Sequence, residues 1–138
     1  MLQFYFLSIA ANLLAGLTLC SDWLISWFAS FADVTLALTT RRGKMVIGLA
    51  AILVGIGTLF VPVAPPLILG DLFPSIMGMA MGIALLFDAF KQDALFPAER
   101  LDRHDRSEKV PVGYRTSLGI LGLASAILHF FLPERPFL

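Results

Sequence analysis

Charge is scarce in this chain. Asp, Glu, Lys and Arg make up 14% of it, against roughly a quarter of an average soluble domain. Ten basic and ten acidic residues cancel to a formal net charge of zero, so the composition gives no pull towards nucleic acid. Cysteine is nearly absent, and the single Cys20 excludes an internal disulfide. No basic residue precedes Arg41. The apolar stretch from Met1 to Leu19 therefore lacks the positively charged start of a secretory signal. Leu17-Thr18-Leu19-Cys20 faintly resembles a lipoprotein cleavage site, but Leu19 is too large for the position before the cysteine. Cys20 reads instead as a small buried or interfacial residue. The usual signatures of catalysis are missing too: there is no HExxH, no CxxC and no phosphate-binding glycine loop. The expectation is a protein that is not an enzyme and that carries no cofactor and no metal.

What the chain has in abundance is apolar surface. Hydrophobic residues make up 58% of it, the mean hydropathy is +0.84 and the mass is 15.1 kDa. Small soluble domains bury the smallest fraction of their area, so a bilayer is the natural solvent. Four apolar runs, residues 2–20, 46–62, 72–90 and 117–132, are predicted to span it. Each lies near the lower end of the roughly 20 residues that about 30 Å of hydrocarbon requires. Asn12 is the one strongly polar residue in the middle of the first run, and it is expected to hydrogen-bond to a neighbouring helix.

Residues 22–40 are patterned differently. Asp22, Ser26, Ser30, Asp33, Ala37 and Thr40 recur every three or four positions, and Trp23, Leu24, Trp27, Phe28, Phe31, Val34 and Leu38 take the other side. That spacing predicts an amphipathic helix along the interface, anchored by Trp23 and Trp27 at headgroup depth. Two aspartates inside a spanning helix would be costly, which argues against a fifth span. The cluster Arg41, Arg42 and Lys44 follows. It reads as a topology signal and as a candidate site for anionic lipid headgroups.

An internal echo organises the chain. IGLAAILVGIGTLFVPVAPPL, residues 47–67, returns 71 positions later as LGILGLASAILHFFLPERPFL, residues 118–138. Gly48 pairs with Gly119, Pro62 with Pro133 and Pro65 with Pro136. A small-residue face is repeated as well: Gly48, Ala51, Gly55 and Thr58 share one side of a helix, as do Gly119, Gly122, Ala126 and His129. The third run holds a GxxxG motif, Gly78 and Gly82, which permits close approach by another helix. Its neighbours Met77, Met79 and Met81 are read as gap-filling or lipid-facing. Asp88 and His129, near span ends, are read as interfacial.

The expected architecture is an all-α integral membrane protein of two tandem, parallel two-helix repeats plus one interfacial helix. Residues 1–71 form the first half. Residues 72–138 form the second, with a polar loop at 91–115. Asp102, His104, Asp105 and Glu108 in that loop do not make a metal pattern, because arginines interleave them. Nine of the ten basic residues lie in 41–44 and 91–115, which places both segments on the cytoplasmic side of the inner membrane and the termini outside. No acid lies at mid-span to couple ion flow. The functional expectation is a structural or accessory membrane subunit that packs through Gly48, Ala51, Gly55, Gly78, Gly82, Gly119, Gly122 and Ala126. Its partners would be the bilayer, further copies of itself or other membrane subunits. The alternative is a small oligomeric channel or transporter.

Overall fold

Long apolar segments without β-type alternation satisfy their backbone polar groups most simply as helices. The computed structural model describes residues 2–60, 72–94 and 113–131, and among them it contains α-helices and one 3₁₀ turn but no strand. Helix α1 is Leu2–Leu19, α2 is Ser21–Trp27, and a 3₁₀ turn covers Ala29–Phe31. Helix α3 is Ala32–Thr39, α4 is Arg41–Phe60, α5 is Leu72–Ala94 and α6 is Tyr114–Phe131. The Pro62–Gly70 turn and residues 95–112, with Asp102, His104, Asp105 and Glu108, lie outside the described residues, as do Pro133 and Pro136.

Two helices, Arg41–Phe60 and Leu72–Lys91, are long and apolar enough to cross a membrane. A third candidate is the pair Tyr5–Leu19 and Ser21–Trp27, bent by 70° at its break. The bend has a local cause. The Thr18 hydroxyl donates to the Leu14 carbonyl at 2.7 Å and the Ser21 hydroxyl to the Thr18 carbonyl at 3.0 Å. Such back-bonding competes with the helix ladder and bends it.

The expected single amphipathic helix over 22–40 is corrected to three pieces. Phe28 is extended, at φ −134° and ψ 92°, and ends α2. The polar stripe is corrected with it: the residue that α3 buries is Thr35, which belongs to neither predicted stripe. Its hydroxyl donates to the Phe31 carbonyl at 2.9 Å.

Two of the helices also begin earlier than hydropathy suggests. Helix α4 starts at Arg41 because Thr40 caps it, its hydroxyl accepting from the Gly43 N–H at 3.1 Å. The basic cluster therefore sits inside the first turn. Helix α6 starts at Tyr114, which brings Arg115 into it. Helix α5 continues to Ala94 and carries Lys91, so the polar segment begins as helix.

The packing is pairwise. Helix α4 lies most extensively against α5, and α1 against α6, while α1 also meets α4 and α5, and α5 meets α6. The core comprises Ala15, Leu19, Ala51, Met77, Met81 and Leu85. The outside is apolar as well: Leu49, Leu53, Ile83, Phe87, Leu121 and Ile127 are all exposed.

Candidate helix-packing site and membrane-facing surface

Small side chains let two backbones approach, and two such approaches organise the molecule. Between α4 and α5, a Cβ added to Gly82 would lie 2.5 Å from the Gly48 carbonyl oxygen, and one added to Gly48 would lie 2.9 Å from the Gly82 carbonyl oxygen. Further along, a Cβ on Gly55 would lie 2.8 Å from the Ser75 carbonyl oxygen and 2.9 Å from Met79 Cγ. Between α1 and α6 the same reciprocity joins Gly16 and Gly119, each Cβ falling 2.9 Å from the other's carbonyl oxygen. Gly122 abuts the Met81 side chain, and Gly78 faces Asn12 Oδ1.

The small residues expected to mediate packing, Gly48, Ala51, Gly55, Gly78, Gly82, Gly119, Gly122 and Ala126, are all buried within the chain. Gly16 escaped the sequence reading. The signal lay at its spacing from Asn12, four residues away on the same helix face.

Polar groups are buried among these contacts. Asn12 Nδ2 donates to the Pro74 carbonyl at 3.1 Å, supplying the interhelical bond expected of it. The hydroxyls of Thr58 and Ser75 meet at 2.6 Å. His129, read from sequence as interfacial, is instead 4% exposed. Its ring lies 4.8 Å from that of Tyr5, whose hydroxyl donates to the His129 carbonyl at 2.6 Å. Asp88 is also corrected: it is buried and ion-paired with Arg115. Met77 and Met81 fill the core, and Met79 packs on Gly55.

At the other surface, Trp27 is 70% exposed, Trp23 is half-buried and their rings lie 6.3 Å apart. Phe28, Phe31, Val34 and Leu36 continue this apolar ledge. Arg41 and Arg42 are exposed beside it. Lys44 is buried, so of the three basic residues expected to meet headgroups, the structure presents two. Among the described residues no three His, Cys, Asp or Glu side chains gather as a metal site would need.

A protein-family model matches residues 1–129. The chain belongs to that family, whose function is not established. No curated protein and no solved structure matches the chain.

Proposed function

We propose that the protein is a multi-pass inner-membrane protein that acts by association in the bilayer, as a structural or accessory subunit. One observation carries this reading. The small and polar faces are used up inside the chain, so that large apolar side chains, among them Leu49, Leu53, Leu121 and Ile127, are what it offers outward. An apolar exterior of this extent marks lipid or protein contact. Association then uses these outer ridges rather than the glycine stripes. Helices α1, α4, α5 and α6 all span, as two parallel tandem units. The α2–α3 ledge lies at the cytoplasmic interface, with Trp23 and Trp27 at headgroup depth and Arg41 and Arg42 towards anionic lipid.

Detergent-solubilised protein should co-purify with a membrane partner or with itself. Liposomes holding pure protein should pass ions and small solutes no faster than empty ones. The buried Thr58–Ser75 pair and the unpartnered Ser125 hydroxyl favour a second reading, a small oligomeric channel or transporter. Flux above that of empty liposomes would install it instead.

The topology has its own test. Single cysteines replacing Arg42, Glu99 and Pro65 in a Cys20→Ser background should divide two to one. An impermeant thiol reagent added outside should reach position 65 and spare 42 and 99. Labelling of 42 and 99 from opposite sides would refute the four-span arrangement.

A further inference from the structure

We infer that the two halves are copies of one antiparallel two-helix unit. Their register is an offset of 66 residues between α1 and α5, and of 71 between α4 and α6. This rests on the tandem-repeat part of the function proposed above and changes its register, because a single 71-residue offset fails for the first helix.

Burial follows the two offsets. Gly48, Ala51, Gly55 and Thr58 are buried in α4, and their counterparts Gly119, Gly122, Ala126 and His129 are buried in α6. Ser8, Ile9, Asn12, Ala15, Gly16 and Leu19 are buried in α1, and Pro74, Ser75, Gly78, Met81, Gly82 and Leu85 are buried in α5. The contacts follow too. A Cβ on Gly48 would meet the Gly82 carbonyl oxygen at 2.9 Å and Leu85 Cβ at 3.2 Å. One on the equivalent Gly119 would meet the Gly16 carbonyl oxygen at 2.9 Å and Leu19 Cβ at 3.1 Å. Each of these neighbours is the other's counterpart at 66 residues.

A twofold axis makes one further demand: a residue beside it must face its own counterpart. Asn12 and Gly78 are 66 apart, and Asn12 Oδ1 is the nearest atom to a Cβ placed on Gly78. Two large side chains cannot share that space, so one half supplies the side chain and the other supplies none. The inner end also repeats its chemistry. Asp22 corresponds to Asp88, and Lys44 to Arg115. In the second half the unbroken α5 holds Asp88 against Arg115. In the first, the 70° bend after Leu19 turns Asp22 outward, where it is exposed. The halves diverge there, and the second connector is five residues longer, from Gly82 to Gly119 against Gly16 to Gly48.

Spin labels on exposed positions test the register in the full chain, with Cys20→Ser as background. Leu53 and Ile76 correspond to Ala124 and Ala10, and all four are exposed, whereas Tyr5, which the uniform offset pairs with Ile76, is half-buried. The 10/124 pair should reproduce the distance distribution of the 53/76 pair, and the 5/124 pair, which the uniform offset selects, should differ. A second measurement uses buried positions. Ile9→Cys with His129→Cys should form a disulfide as readily as Thr58→Cys with Ser75→Cys. A 5/124 distribution that matches 53/76, or a 10/124 distribution that does not, overturns the inference. So does a disulfide at 58/75 without one at 9/129, and loss of both disulfides removes the shared contact itself. None of these readouts depends on flux or co-purification, so the repeat can fail while the association reading stands.

Discussion

Gly82→Leu should leave little folded protein in detergent, while Gly122→Ala should remain close to wild type. Both glycines are buried and both face a close neighbour, but the neighbours differ in kind. At Gly82 the nearest atom to a new Cβ is the Gly48 carbonyl oxygen, at 2.5 Å, followed by Ile52 Cγ1 at 2.7 Å and the backbone N of Ile52 at 3.2 Å. Backbone on an opposing helix cannot turn aside, so α4 and α5 must separate along their whole contact. Overpacking typically costs about 1–3 kcal/mol, and the branched leucine belongs at or beyond the upper end. At Gly122 the neighbour is the Met81 thioether, a chain with several rotatable bonds that can swing away. Gly119→Leu should resemble Gly82→Leu, because the Gly16 carbonyl oxygen stands behind it at 2.9 Å. Thermal unfolding in detergent, read as the fraction of monodisperse protein, ranks the variants. Equal tolerance at Gly82 and Gly122 would mean that α4 and α5 do not touch through Gly48.

That ranking was only partly visible in the residues. The repeated small face of Gly48, Ala51 and Gly55 announces a packing surface, since each residue returns on the same side of the helix. Which helix fills it was not legible. A GxxxG pair reads identically whether its partner lies in the same chain or in another, because the motif specifies only how closely a backbone can come. The helix starts were hidden for a different reason. Hydropathy places a span where the apolar run begins, but Thr40 and its hydrogen bond to Gly43 set the start of α4 a turn earlier. The break at Phe28 had no signal in side-chain periodicity, since Trp27, Phe28 and Phe31 fit a continuous amphipathic pattern on composition alone. Asp88 was misplaced because Arg115 was counted with the polar loop. Once the helix is extended back to Tyr114, the arginine comes within reach of the acid, and the two pair.

Removing either partner of that pair should destabilise the protein, and Arg115→Ala should do so more than Asp88→Ala. The side chain of Asp88 is 10% exposed and that of Arg115 is 33% exposed. A carboxylate abandoned at the first level has little water to turn to, whereas a guanidinium on a flexible stem can reach the interface. Breaking a fully buried pair costs about 3–5 kcal/mol. The partial exposure of the arginine lowers the expectation for Asp88→Ala to about 1–2 kcal/mol, nearer to exposed pairs. Arg115→Ala should fall near the lower bound for buried pairs, about 3 kcal/mol. The double variant Asp88→Leu with Arg115→Leu separates charge from contact. It removes both ions and restores apolar volume, so it should be more stable than Arg115→Ala alone. The pair joins α5 to α6, whereas Asp22 is exposed. Asp22→Asn should therefore leave the unfolding temperature unchanged. An Asp22→Asn variant as unstable as Asp88→Ala would mean that both acids hold a helix pair together, and that the bend after Leu19 does not open the first half.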